Sequence, residues 1–493
     1  MPADANLYAR FRARFQARLD APCFIAPDGA IVTYAALDDW SARFAAALRA
    51  RGVGADDRVV VQVGKSTLAI ALYLACLRVG AIYTPLNTAY TEAETAYFLA
   101  DAAPALFIAE RKSAAPSAVE MLQTAFWAEA LAAAPDQALA PRTGEDVAAI
   151  VYTSGTTGRS KGAMLTIGNL ASNAETLVSL WGFTADDVLL HALPIFHVHG
   201  LFVALHCALL SACTTIFHPA FDAAALRADL KRATVLMGVP TFYTRLLALP
   251  AFGAEDCLTM RLFISGSAPL LAETHREFEA RTGHRILERY GMSEAGMITS
   301  NPLDGARVPG TVGYPLPGVS LRIVDDAGRA LPPGEPGVIQ IKGPNVFKGY
   351  WRMPEKTAQE FTRDGYFITG DVGVAEPDGR ISIVGRAKDL IISGGYNIYP
   401  KEIEDVLDAV EGVAESAVIG APHPDFGEAP VALVTLRPGA AASLEALAAA
   451  VAEKLARFKH PKRILIVEEL PRNAMGKVQK AALRERYRDL LAE

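Results

Sequence analysis

The stretch richest in chemistry runs from Thr153 to Gly162. Thr153, Ser154, Gly155, Thr156, Thr157, Gly158, Arg159, Ser160 and Lys161 put hydroxyls and glycines directly ahead of a lysine. Glycine lets the backbone approach an anion and take positive φ, so several N–H groups can converge on phosphate oxygens. The hydroxyls add donors, and Lys161 adds a mobile point charge. The order T-S-G-T-T-G-x-x-K-G therefore reads as a phosphate-gripping loop. It is not a Walker A loop, because G-x-x-x-x-G-K-[ST] cannot be laid over it. Gly64-Lys65-Ser66 imitates the end of that motif, but Val59 stands where its first glycine is required. That triplet is read as a strand-to-helix turn.

Six further groups of residues are candidates for chemistry. Glu288, Arg289, Tyr290, Gly291, Met292, Ser293 and Glu294 form a polar cluster, and a hydroxyl beside a carboxylate is hard-oxygen chemistry suited to Mg2+ with substrate phosphates. Gly266, Ser267, Ala268 and Pro269, like Thr241 to Arg245, follow apolar runs, and ligands in open α/β sheets bind outside the carboxyl ends of strands. His197 and His199 flank one residue beside a glycine, but no Cys or carboxylate with ligand spacing lies near. A pocket wall or the first turn of a helix accounts for them better than a metal. Asp371 follows Gly370 and could bind sugar hydroxyls, or be an ordinary turn aspartate. Lys477 sits in a Pro/Gly loop expected to be exposed, the usual fate of lysines.

The elements that must position these residues are legible as alternation. Val59 to Val63, Gly80 to Leu86, Val188 to Pro194, Ala233 to Pro240, Met260 to Ser267 and Ile286 to Glu294 read as strands, with helical patterns between several of them. Such alternation implies βαβ units and largely parallel sheets. From about 305, short strands punctuated by Gly and Pro suggest a small β-rich subdomain. The last hundred or so residues read as a small α/β unit. The stretch 111–145 is Ala- and Pro-rich and has no clear assignment.

At 493 residues the chain exceeds a single core and should split into domains. A net charge of −6 argues against nucleic acid or an anionic membrane as partner. No apolar run reaches a membrane span, and the N-terminus lacks the layout of a signal peptide, so a cytoplasmic location is expected. Cys23, Cys76, Cys207, Cys213 and Cys257 form no C-x-x-C pair and read as buried small hydrophobes.

In order, Thr153 to Gly162, Tyr290-Gly-Met-Ser-Glu294, Tyr366 to Asp371, Gly385 to Glu404 and Pro471 to Lys477 resemble the motif set of the adenylate-forming superfamily of acyl-CoA synthetases, luciferases and peptide-synthetase adenylation domains. More narrowly, Gly238 to Leu247, Ile264 to Leu271 and Pro471 to Lys480 are similar to malonyl-CoA synthetases. The resemblance implies an N-terminal ATP- and acyl-binding domain, 1–387, and a mobile C-terminal lid, 388–493. It implies that a carboxylate attacks the α-phosphate of ATP, releasing pyrophosphate, and that coenzyme A then takes the acyl group. Lys477 would bridge carboxylate and α-phosphate, Glu294 with Ser293 would organise Mg2+, and Lys161 would serve the phosphates. Asp371 and Arg386 would hold the ribose. Gly266 to Pro269 with Glu288 to Tyr290 would hold the adenine. Lys388 would be the hinge, and Gly394 and Gly395 would line the CoA tunnel. Many relatives carry Thr where Ser293 stands, which preserves the hydroxyl. The setting of Lys477 also resembles one that lysine acetyltransferases modify, and acetylation would remove its charge.

Malonate, or methylmalonate, carries a second carboxylate whose burial without a cation costs several kcal/mol. An acyl pocket for it needs an arginine. Arg245 is the first candidate by its place after a strand end, Arg289 the second, with His197 and Ser267 lining the pocket. The alternatives are a ligase for an aryl or medium-chain acid, which would have an apolar pocket, an AMP-binding protein without activity, and an enzyme that loads a carrier protein.

Overall fold

The computed structural model describes residues 5–110, 120–122, 126–153, 160–394, 396–473 and 476–491. Ser154, Gly155, Thr156, Thr157, Gly158 and Gly395 lie outside the described residues.

Among the described residues the strands assemble into four sheets, of nine, seven, four and five strands. The seven-stranded sheet is built on Arg58–Gln62, which pairs in parallel with Ile82–Pro85 and Leu106–Ala109. These strands are apolar runs, the first two followed by helices, and burial on both faces explains why they do not alternate. Thr67–Val79 is helical from its Ser66 cap, which accepts from the Ala69 amide, to its left-handed Gly80 stop. Lys65 thus belongs to a strand-to-helix turn. The nine-stranded sheet carries Val188–His191, Val235–Gly238, Leu262–Ser265 and Leu287–Met292 as parallel neighbours. Because they are parallel, their carboxyl ends lie along one edge of the sheet, where open α/β sheets bind ligands.

The β-rich segment after 305 is the four-stranded antiparallel sheet containing Ser320–Val324, Gly337–Lys342, Phe367–Ala375 and Ile381–Arg386. Asp371 is not in a turn. It sits inside Phe367–Ala375, directly opposite Arg386.

The five-stranded sheet of the C-terminal part centres on Val413–His423 paired with Gly427–Leu436. It has its own apolar clusters, one on each face. All five cysteines are buried and free. No helix among the described residues is long and apolar enough to cross a membrane.

Candidate active site

Four structural pieces meet at the crevice. The first is the antiparallel pair Val147–Thr153 and Lys161–Thr166, which flanks the candidate phosphate-binding stretch. Thr153 and Lys161 are register partners across it, so Lys161 is fixed by sheet pairing, not by the loop. Its ammonium is buried against Glu360 at 2.9 Å and lies 4.1 Å over the Tyr350 ring, a cation–π contact.

The second piece is Leu287–Met292 with the turn that follows. Gly291 lets this strand fold back on Gly296–Ser300, since a Cβ there would lie 2.2 Å from the Gly296 carbonyl. Glu294 is buried in that turn, with its Oε1 3.1 Å from the Tyr350 hydroxyl. Burial pushes its carboxyl above the usual range. Burial also raises the Glu288 carboxyl, whose Oε1 faces His275 Nδ1 at 3.4 Å. Met292 and Ser293 are half-buried beside it.

Arg289 and Tyr290 are neighbours on that strand and face opposite ways. The Tyr290 hydroxyl donates to Asp371, whose other oxygen accepts from Arg386 Nε at 2.8 Å. This contact ties the nine-stranded sheet to the four-stranded one. Arg289 turns instead into a closed polar nook. Its guanidinium lies flat on Gly266, where a Cβ would come within 2.3 Å of Nη1. It is 3 % exposed, and its Nε and Nη2 are buried without a hydrogen-bond partner among the described residues. Burial pulls it down to about 9.

The third piece is the turn after Val188–His191. His199 opens a π-helical segment, His199–Leu205. The His199 amide donates to His197 Nδ1 at 3.2 Å, and His199 Nδ1 meets the Ser267 hydroxyl at 3.2 Å. Ser267 takes positive φ, 71°, as a non-glycine residue. The charge of Arg289 adds to burial in keeping both histidines neutral, His197 down to about 4 and His199 well below its ordinary value. His199 Nε2 is a further buried ring nitrogen without a partner. A guanidinium and a ring nitrogen gathered with spare bonding capacity form a cradle suited to an anion.

Behind this turn lies a device that sequence reasoning missed. Lys65 Nζ donates to His191 Nδ1 at 2.7 Å and to the His191 carbonyl at 3.0 Å. The Gly200 carbonyl can only accept, so the ring hydrogen resides on Nε2, which donates to it at 3.0 Å, and Nδ1 accepts from Lys65. Gly200 is obligatory, because a Cβ would lie 2.1 Å from the Pro194 carbonyl. Nothing in the spacing of Lys65 and His191 signals this pairing, since it crosses two sheets.

The fourth piece is the loop that carries Lys477. Contrary to expectation, Lys477 is half-buried, not exposed. Its amide donates to Asn473 Oδ1 at 3.0 Å, and a Cβ on Gly476 would lie 3.2 Å from Thr241. Burial and then the charge of Arg386 lower the Lys477 ammonium, with Asp371 and Asp389 opposing. The loop is therefore docked on the N-terminal crevice. Arg437 and Glu273 form an ion pair across the same boundary.

The order of the two candidate arginines is reversed by burial. Arg245 is exposed on the helix Pro240–Leu247, with its guanidinium 5.8 Å over the Phe221 ring. A helix start after the Val–Pro strand end turns it outward, where water already solvates it. Gly266, Ser267, Ala268, His197 and Arg289 are gathered together, while Pro269 is exposed. Lys388 is exposed in the turn Ala387–Asp389, and Gly394 is exposed with positive φ, 56°. Both stand apart from the nook.

Residues 11–351 match the AMP-binding enzyme family, and residues 402–477 match the AMP-binding enzyme C-terminal domain. The chain belongs to the AMP-binding enzyme family. It is similar to a feruloyl-CoA synthase from an Amycolatopsis species, 37 % identical across 93 % of this chain and 94 % of that protein. It is also similar to a malonate–CoA ligase from Arabidopsis thaliana, 41 % identical across 69 % of this chain and 61 % of that protein. The ATP-bound structure of MatB from Rhodopseudomonas palustris is 51 % identical, covers 99 % of this chain and 100 % of that one, and superposes with a TM-score of 0.93. The apo form of MatB gives 0.83, so the arrangement of parts here lies nearer the ATP-bound form. The family's fold and its resemblance to malonyl-CoA synthetases agree with the motif reading, and the protein is an AMP-forming acid–thiol ligase that uses ATP and coenzyme A.

Among the described residues no group of three or more His, Cys, Asp or Glu could hold a metal on its own. Glu294 offers one carboxylate and Ser293 one hydroxyl. That donor set fits Mg2+ only as a partner of substrate phosphates.

Proposed function

We propose that this chain is a malonyl-CoA synthetase: it activates malonate as the acyl-AMP with release of pyrophosphate and passes the malonyl group to coenzyme A. The supporting observation is Arg289, a buried guanidinium with two unpartnered nitrogens, framed by Gly266, Ser267, His197 and His199. A monocarboxylate buries no second charge, and for it an unpaired arginine in the acyl nook would be pure cost. For a dicarboxylate the same arginine is the bidentate anchor. The Arabidopsis malonate–CoA ligase among the relatives supports the same choice.

The chain's residues then divide the work as follows. Arg289 holds the non-reacting carboxylate and so aims the other at the crevice. Lys477 brings its ammonium between the reacting carboxylate and the α-phosphate, neutralising charge that develops there. Lys161, Thr153 and the loop between them grip the phosphates. Tyr290, Asp371 and Arg386 form the ribose clamp, and Gly266 to Pro269 with Glu288 to Tyr290 border the base. Glu294 and Ser293 would hold Mg2+, which would supply charge neutralisation on the phosphates. Segment 388–493 moves as the lid about Lys388, taking Lys477 away and bringing Gly394 and Gly395 to the thiol.

A second reading, a ligase for an aryl acid, draws on the feruloyl-CoA synthase, which matches over more of the chain than the plant malonate–CoA ligase does. Pyrophosphate release with ATP and Mg2+ across malonate, methylmalonate, acetate, octanoate and 4-coumarate separates the two. Selective turnover of malonate supports the first. Turnover of 4-coumarate with indifference to Arg289→Met establishes the second and sinks the first.

A further inference from the structure

Glu360 lies just past the helix Pro354–Gln359 and has no role in the sequence reading. In the fold it is joined to the phosphate machinery at three points. Its Oε1 accepts from Lys161 Nζ at 2.9 Å and from Lys356 Nζ at 2.9 Å. Its Oε2 accepts from the Tyr350 hydroxyl at 2.7 Å, the same hydroxyl that faces Glu294. Burial alone would raise the Glu360 carboxyl, but the hydrogen bonds from Tyr350, Lys161 and Lys356 hold it below the usual range. The lysine that closes the phosphate-gripping loop is thus already bound to an internal anion.

We propose that Glu360 is a positioning residue that acts as an internal ligand of Lys161, holding its ammonium between turnovers and competing with pyrophosphate for it. An ammonium has three N–H groups. One points to Glu360 and one face rests on the Tyr350 ring, so an arriving polyphosphate must share Lys161 or displace the carboxylate. The consequence is a deliberately weakened grip. Pyrophosphate, whose charge is concentrated at this lysine, leaves more readily than it would from an uncompensated cation. AMP, which carries only the α-phosphate, is scarcely affected. Lys356 is the device's return path, since it keeps Glu360 paired from the outer side when Lys161 lets go.

The proposal uses only the nucleotide chemistry of the family. Its failure and that of the malonate reading are therefore separable, because the test contains no acid. Binding of pyrophosphate and of AMP to the full-length protein is measured by titration calorimetry in Mg2+ buffer for wild type, Glu360→Gln and Glu360→Asp. Glu360→Gln removes the competing charge at nearly constant size and is expected to tighten pyrophosphate binding about five- to tenfold, a factor set by one unit charge a few ångströms away beside the water of an open crevice. AMP binding should stay within twofold. Glu360→Asp keeps the charge but shortens its reach by one methylene, so a smaller gain of the same sign is expected. The sign is decisive, because a carboxylate that only props up the site would lose affinity when altered. Weaker or unchanged pyrophosphate binding in both variants overturns the proposal, and an equal gain for AMP overturns its specificity for the leaving group.

Discussion

Arg289→Met tests the site reading most sharply, because it should move function and stability in opposite directions. In wild type, burial draws the guanidinium well below its ordinary value, down to about 9. At about 1.4 kcal/mol per unit, that is on the order of 4 to 5 kcal/mol of penalty on the charged form, an upper figure that relaxation will reduce. The charge is present in both folded and unfolded chains at pH 7, so the penalty acts on the folded state and is relieved only as pH rises past the folded value. A methionine of similar length fills the same space without the charge. Buried ions replaced in this way commonly leave proteins unchanged or more stable by about 1–4 kcal/mol. The variant should therefore melt at the wild-type temperature or a few degrees above it. Malonate affinity should fall, since loss of one partner of a buried hydrogen-bonded charge pair costs about 2 to 5 kcal/mol, or about 30- to 5000-fold. Thermal unfolding with and without malonate, alongside kinetics for malonate and acetate, reads both effects. Malonate should raise the melting temperature of wild type by linkage and not that of the variant. A variant that melts lower and keeps its malonate KM would refute the argument at both ends. Arg245→Ala, at an exposed position, is expected to cost less malonate affinity than Arg289→Met.

Three other outcomes follow from distances and burial. Gly266→Ala puts a methyl where Arg289 lies, at a contact of 2.3 Å; the guanidinium swings away, and the KM for the acid should rise at least tenfold with the melting temperature nearly kept. Lys477→Gln should cut malonate-dependent ATP–pyrophosphate exchange by about a hundredfold or more, a loss typical of a removed transition-state cation, while thioester formation from synthetic malonyl-AMP survives. In wild type the depressed Lys477 ammonium is lost earlier than a free lysine's, so the exchange rate should decline on an alkaline limb below 10.5 that is absent in Lys477→Gln. Lys65→Met removes the donor to His191 Nδ1 while the Gly200 carbonyl keeps the ring hydrogen on Nε2; the nitrogen-15 shift of Nδ1 should move to that of an unbonded ring nitrogen, and the KM for the acid should rise about threefold or more with the KM for ATP unchanged.

The local chemistry was written in the order of residues. The hydroxyl–glycine–lysine loop and Tyr290 to Glu294 stand out by type and spacing, because phosphate and hard-metal chemistry draws on such groups close along the chain, whereas Asp371 and Lys477 gain a proposed role only through the resemblance of the whole motif set. Strand runs such as Val59 to Val63 and Leu262 to Ser265 are equally legible, since a sheet buried on both faces forces continuous apolar stretches. What sequence could not decide was which way a side chain points and what lies across from it. Arg245 and Arg289 look alike as letters. One starts on a helix that turns it to water, while the other alternates with Tyr290 on a strand and so faces inward when Tyr290 faces Asp371. Asp371 became a strand residue because its partner Arg386 lies on the neighbouring strand. Lys161 meets Glu360 across 199 residues, and Lys65 meets His191 across 126. Such pairs leave no periodic trace, because their strength comes from desolvation and contact geometry that exist only once separate sheets have packed together.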